Sequence, residues 1–153
     1  MAEVFRSHLE WTGAAHGATR DVNSFSRDLD VSFESGIRVA LSAAPAFKGD
    51  PSRLNPEQLF VASLSSCQAL TYLALAAGSG VAVLAYSDDA EGRLALADGR
   101  LRLSLVTLRP RIVLDAGTNE SLARDLIEKA HQQCFVANSV TSRVTIEPTF
   151  QIR

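Results

Sequence analysis

Asn55-Pro56-Glu57-Gln58-Leu59-Phe60-Val61-Ala62-Ser63-Leu64-Ser65-Ser66-Cys67-Gln68-Ala69-Leu70-Thr71-Tyr72-Leu73-Ala74-Leu75-Ala76-Ala77-Gly78 spells out one long helix. Asn55 suits the N-cap, Pro56 suits the first helical position, and Gln58 can close a capping box. Gly78 and Gly80 stop the helix just after Ala77. Leu59, Phe60, Leu64, Leu70, Leu73 and Leu75 cover most of its circumference, so it is expected to lie buried at the centre of the fold. Ser63, Ser65, Ser66, Gln68 and Thr71 interrupt the apolar run and argue for a core helix, not a membrane span.

Strands flank this helix on both sides. Phe25, Arg27, Leu29, Val31 and Phe33 alternate with Ser26, Asp28, Asp30 and Ser32. That period of two marks a half-buried strand. Ser35-Gly36 is a turn signal, and Ile37, Val39 and Leu41 resume the alternation, so residues 24–42 are expected to form a hairpin. Another strand is expected over residues 4–12. Residues 43–54 form a Pro/Gly loop long enough to be a lid or binding loop.

Beyond the helix, residues 81–86 read as a strand. Residues 93–97 and 100–108 flank Asp98-Gly99, a two-residue hairpin turn. Strand character continues past Pro110 to Leu114. A second helix starts near Asn119 and carries Leu122, Leu126, Ile127, Ala130 and Cys134 at helical spacing. A last strand is expected over residues 139–147. This order fits an α+β fold better than alternating βαβ units. With 153 residues, a single domain over 1–153 is the expectation.

Composition narrows the function. Apolar residues make up 46% and charged residues 21% of the chain, with a formal net charge of −2, a globular composition with no basic block for nucleic acid. The N-terminus has no basic segment followed by an apolar run, so a cytoplasmic location is expected.

Cys67 and Cys134 are the only two cysteines. Two readings stand open: small buried core residues, or a reactive pair. Cys67 lies about three turns into its helix, too far in to draw on the positive N-terminus. Cys134 lies near the negative end of its helix, which disfavours a thiolate. Cys67 is therefore the better nucleophile if a cation reaches it, and Cys134 suits the resolving role.

Arg27 occupies the apolar phase of its strand, where an arginine needs an anionic partner, with Glu57 and a Cys67 thiolate as two such anions. The alternative is a rim position from which Arg27 reaches water. Arg20 is the competing cation. Glu57 stands ten residues before Cys67, about 15 Å along a continuous helix. Either that helix is interrupted, or the Glu57 near a given Cys67 comes from a second subunit. A first-turn glutamate also simply favours the helix dipole.

His8, His16 and His131 lack ligand spacing, so no metal is expected. His131 is placed to affect the protonation of Cys134. No phosphate loop or GxSxG motif occurs, and no cofactor is implied.

The run from Asn55 to Cys67 resembles the motif around the reactive cysteine of the OsmC/Ohr family, the osmotically inducible and organic hydroperoxide resistance proteins. Ala130-His131-Gln132-Gln133-Cys134 resembles the motif around that family's second cysteine. The resemblance implies an intertwined α+β homodimer with antiparallel sheets around a central helix and two active sites at the interface. It implies a thiol peroxidase: Cys67 attacks an organic hydroperoxide and becomes a sulfenic acid, and Cys134 closes a disulfide. Glu57 matches the family's carboxylate, which pairs with an arginine; strand phase carries that role to Arg27. A dithiol, lipoyl-type in one branch, would reset the enzyme. Phe135 stands where Pro commonly follows the second cysteine. Phe47-Lys48-Gly49-Asp50 is more similar to the broad OsmC-like branch. A small-molecule binding protein or a thiol redox sensor on the same fold are the rival readings.

Overall fold

The computed structural model describes residues 2–153. The chain folds as two compact units, Met1–Leu59 and Phe60–Arg153.

In the first unit, β1 (Ser7–Trp11), β2 (Leu29–Phe33) and β3 (Arg38–Leu41) form an antiparallel sheet in that order. Leu9 pairs with Val31 and Val31 with Val39, so these apolar residues share one face; His8, Ser32 and Arg38 share the other. The expected 24–42 hairpin is present, but its first strand begins only at Leu29. Phe25 and Arg27 lie in the preceding loop, where the N–H groups of Ser24 and Phe25 both bond the Asp21 carbonyl. That local turn overrides the alternation.

The 43–54 loop is tied down. The Ser42 N–H bonds the Leu54 carbonyl at 2.8 Å, and Ser42 Oγ accepts the Asp50 N–H at 3.0 Å. Any side chain at Gly49 would collide with the Ala43 backbone, its Cβ landing 1.5 Å from the carbonyl oxygen. Arg53 lies within 4 Å of the carboxylates of Asp28, Asp30 and Asp50. A free lid is therefore not what this loop forms.

Helix α1 runs Pro56–Gly78. Its start is the capping box the sequence writes: the Gln58 N–H bonds Asn55 Oδ1 at 2.9 Å, and the Asn55 N–H bonds Gln58 Oε1 at 3.0 Å. The helix is long and apolar enough to cross a membrane by length and composition alone. Its interrupting polar groups are nonetheless engaged. Ser63 and Thr71 bond carbonyls of α1 itself, at Phe60 and Cys67. The expectation of burial all round is corrected: one stripe, Leu64, Gln68, Tyr72 and Ala76, is buried, while Leu70 is 68% exposed.

The second unit holds two further sheets, in the orders β4 (Val83–Asp88)–β7 (Pro110–Leu114)–β9 (Thr149–Ile152) and β5 (Glu91–Ala97)–β6 (Arg100–Leu108)–β8 (Arg143–Ile146). Asp98 and Gly99 both take positive φ, as the predicted hairpin turn between β5 and β6 demands. The all-antiparallel expectation is corrected here: β6 pairs β8, and β7 pairs β9, in parallel. Helix α2 (Glu120–Gln133) separates the partners in sequence, as parallel pairing requires. Asn119 caps α2 by accepting the Leu122 N–H at 3.1 Å.

One break lies between β6 and β7 at Arg109, and a matching one between β8 and β9 at Glu147-Pro148. The two strand pairs run side by side and pass from one sheet to the other at these points, joined there by the Glu147 N–H on the Leu108 carbonyl at 2.8 Å. The unforeseen β9 is the continuation past Pro148. Asp88, at the end of β4, accepts the Arg109 N–H at 2.6 Å and the Ser65 hydroxyl of α1 at 2.5 Å.

Replacing the capping residue, Asn55→Ala, is expected to lower the unfolding free energy by about 1 kcal/mol. Urea denaturation checks this, and an unchanged midpoint would show that the capping box carries no weight.

Candidate active site

Two core clusters meet along α1. Leu64 packs with Val106 and Leu108; about two to three turns later, Tyr72 and Ala76 pack with Ile112, Leu114 and the α2 residues Ala123, Leu126, Ile127 and Ala130. Gln68, between them, is buried and gives its Nε2 to the Ile127 carbonyl at 3.4 Å. Cys67 is one step round the helix from this stripe. It is half-buried and opens into a groove of about 920 Å³ whose lining includes Ser66, Leu70, Thr71, Phe135 and Val136.

Cys134 reaches the same place from α2. It caps the helix at φ −69°, ψ 110°, an extended conformation, without a glycine. The chain then turns through Val136 (φ −68°, ψ −42°) into a short 3₁₀ turn, Ala137–Ser139. A continuing α-helix would have bonded the N–H groups of residues 135–137 to carbonyls four residues back. The break frees them. The Ala137 N–H lies 3.5 Å from Cys134 Sγ, and Phe135 and Val136 line the same groove as Cys67. Successive amides in such a turn form a concave anion-holding nest. Val136 and Ala137 pack against the Leu64 cluster, and the Asn138 side chain bonds the Gln132 carbonyl at 2.9 Å, so the turn is fixed in place.

The two thiols are thereby made unequal. Burial pushes Cys67 up, but the Val136 amide, the Cys134 thiol, the Phe135 amide and the Thr71 hydroxyl together outweigh it, and the thiol ends below its ordinary value. Cys134 is fully buried, and burial is the largest cause of its upward shift, with Cys67 adding to it. Both cysteines are free. The two shifts run in opposite directions, with no cation among the causes for Cys67 and burial the largest cause for Cys134. His131 is not among the groups acting on Cys134. Thr71 was not foreseen, although its i+4 spacing from Cys67 is visible in the sequence. Its hydroxyl donates to the Cys67 carbonyl at 2.8 Å and also bears on the sulfur. With one proton it serves one acceptor at a time, and a thiolate is the stronger.

The other predicted residues lie in the first unit. Arg27 does not point from a strand to a carboxylate. Its guanidinium donates to the carbonyls of Phe25 at 3.0 Å and Val22 at 2.6 Å, and lies 4.2 Å from the centre of the Phe25 ring. Arg20 is exposed in the loop. Glu57 sits in the first turn of α1 with Oε2 buried and unpartnered. Among the described residues, no group of three or more His, Cys, Asp or Glu is arranged to hold a metal ion.

Residues 49–149 match the family model of the OsmC-like proteins, and this chain belongs to that family. An OsmC-like protein of unknown function from Vibrio cholerae is similar in structure, with a TM-score of 0.87 and 32% identity over 97% of this chain and 100% of that one. An organic hydroperoxide resistance protein, OsmC, from Legionella pneumophila shares the fold at a TM-score of 0.72 and 20% identity, covering 99% and 98% of the two chains. An organic hydroperoxide resistance protein from Elizabethkingia anophelis does so at 0.72 and 20%, covering 100% and 99%. No curated protein matches the chain.

In native protein near neutral pH, iodoacetamide is expected to modify Cys67 well before Cys134. The Cys67 rate should rise through a midpoint below about 8.5, the value of an ordinary thiol. Thr71→Val should move that midpoint upward. Peptide mapping of the alkylated protein across a pH series reads both, and equal rates at the two cysteines would contradict the assignment.

Proposed function

We propose that the protein is a thiol-dependent peroxidase that reduces organic hydroperoxides. The carrying observation is the unequal thiol pair, Cys67 lowered and open to the groove, Cys134 raised and buried behind it. The Cys67 thiolate attacks the terminal oxygen of the peroxide. The O–O bond breaks, an alkoxide leaves and takes a proton, and sulfur is oxidised by two electrons to a sulfenic acid. Cys134 then gives up its proton and attacks that sulfur; the S–S bond forms, the S–O bond breaks, and water leaves. A dithiol, such as one of lipoyl type, returns both thiols to the reduced state and is itself oxidised to a disulfide. The apolar lining from Leu70, Phe135 and Val136 favours a carbon-bearing peroxide over hydrogen peroxide. The names of the Legionella and Elizabethkingia proteins support the same substrate class.

The functional unit in this reading is a homodimer. Leu70 and Phe135, at 68% and 82% exposure beside the nucleophile, are the kind of apolar surface a second copy covers. Ten residues of helix separate Glu57 from Cys67, about 15 Å. The Glu57 that serves a given Cys67 therefore comes from the other copy, and Arg27 would have to leave the Val22 and Phe25 carbonyls to become its guanidinium partner. The rival reading, a binding or redox-sensing protein with slow turnover, draws on the same thiols but needs no dithiol recycling.

Cys67→Ser is expected to abolish consumption of cumene hydroperoxide under excess dithiol. Cys134→Ser should complete one turnover and leave a sulfenic acid that dimedone traps. Full multiple turnover by Cys67→Ser would end the mechanism, and wild-type turnover of hydrogen peroxide as fast as of cumene hydroperoxide would end the substrate assignment. Sedimentation at micromolar concentration should give a dimer.

A further inference from the structure

We propose that Gln68 is the positioning residue for disulfide closure: it ties the helix of the attacking thiol to the helix that ends in the resolving thiol. This rests on the disulfide step proposed above and adds what holds Cys134 in register with Cys67.

Gln68 is an unusual residue for its place. It stands in the buried stripe of α1, between Leu64 and Tyr72, and is 1% exposed. A carboxamide in an apolar core costs free energy unless it is hydrogen-bonded. Its Nε2 donates to the Ile127 carbonyl of α2 at 3.4 Å, while its Oε1 is buried without a partner. A carbonyl only accepts, so the amide nitrogen is the end that must face Ile127. The other end is left unmet. Methionine, of similar length, would fill the same space with no polar atom to satisfy. Packing alone therefore does not call for glutamine here.

The bond supplies direction where the rest of the contact has none. Among the described residues it is the one hydrogen bond between α1 and α2. The remaining contact is apolar, Tyr72 and Ala76 against Ala123, Leu126, Ile127 and Ala130. Apolar burial is non-directional and does not mark a position along a helix. From Ile127 the link continues to the resolving thiol. The Ile127 carbonyl also takes the His131 N–H, as residues four apart in a helix do. The His131 carbonyl takes the Cys134 N–H at 3.3 Å. Hydrogen bonds in series thus join the residue next to Cys67 to the backbone of Cys134. Each thiol is in turn among the groups that act on the other.

Disulfide closure is the step that needs such a link. Cys134 gives up its proton and its sulfur attacks the sulfenic sulfur of Cys67. The S–S bond forms, the S–O bond breaks, and the hydroxyl leaves as water. The product requires Cβ atoms about 3.8 Å apart and a narrow range of dihedral angle. Attack of Cys67 on a peroxide makes no bond to Cys134. A shift of α2 along α1 therefore slows the second step more than the first.

Gln68→Met tests this. The Ile127 carbonyl keeps its helical N–H and the unpaired Oε1 disappears, so urea denaturation should show wild-type stability or better. Iodoacetamide should alkylate Cys67 of the reduced variant at the wild-type rate. At equilibrium with reduced and oxidised dithiothreitol, the protein's dithiol–disulfide constant should fall about tenfold, the loss of effective concentration a small misplacement causes. After one equivalent of cumene hydroperoxide, the Cys67 sulfenic acid, trapped by dimedone, should last about tenfold longer. If Gln68→Met does not fold, Gln68→Leu removes the same amide and should give the same shifts. A folded variant with the wild-type constant and sulfenic acid lifetime overturns the proposal. So does one whose Cys67 alkylation changes as much as closure, because that is general loosening. The dithiothreitol equilibrium uses no peroxide. A protein that shows that shift yet fails to consume cumene hydroperoxide would refute the peroxidase reading alone.

Discussion

The end of α2 governs the chemistry of this fold. A helix closed by glycine turns its chain away through a left-handed residue and satisfies its last carbonyls. At Cys134 the chain instead goes extended and immediately turns helical again. The N–H groups that follow are released from the helix just where two sulfurs lie. Each sulfur then meets a different balance. Cys67 is half open and collects more stabilisation than it loses, whereas Cys134 is sealed in and loses more than it collects. In the proposed mechanism, the division of labour between attacking and resolving cysteine follows from where a helix stops.

Helix α1 supplies the other half of the site by packing on two clusters at once. Leu64 is fixed on the β5–β6–β8 side and Tyr72 on the α2 side, and Cys67 falls between them, on the flank left open. The apolar residues on the open flank explain an oddity of the sequence: the helix carries more leucines than one chain buries. A helix hydrophobic all round belongs in an interior, and a second copy would complete that interior.

The sequence was most legible where structure is local. Asn55-Pro56-Glu57-Gln58 wrote the start of α1 and Asp98-Gly99 the hairpin, because each depends only on residues within one turn. The two cysteines could also be ranked from helix position, and in the structure each thiol is among the groups that act on the other. Three things were hidden. Arg27 read as an inward strand residue because alternation cannot reveal that the Asp21 carbonyl captures the preceding backbone. The parallel pairing of β6 with β8 and β7 with β9 depends on partners more than thirty residues apart, which no period records. Part of what lowers Cys67 comes from backbone amides, and a backbone amide has no letter in a sequence. Thr71, four residues along from Cys67, was the one such group that spacing could have exposed.

The bond from Ser65 to Asp88 has a consequence for where the nucleophile stands. A helix whose buried stripe repeats every four residues, as Leu64, Gln68, Tyr72 and Ala76 do, has its neighbouring registers one turn away. A slip to either would carry Cys67 about 5 Å from the amides of the 135–136 turn. Asp88 is itself held by the Arg109 N–H at the point where β6 gives way to β7, so its carboxylate is a fixed mark on the sheet. Only one register of α1 sets a hydroxyl against that mark, because the residues four away on either side, Val61 and Ala69, have none. Together with the Gln68 amide on the Ile127 carbonyl, this contact indexes the helix, and with it the position of the Cys67 sulfur.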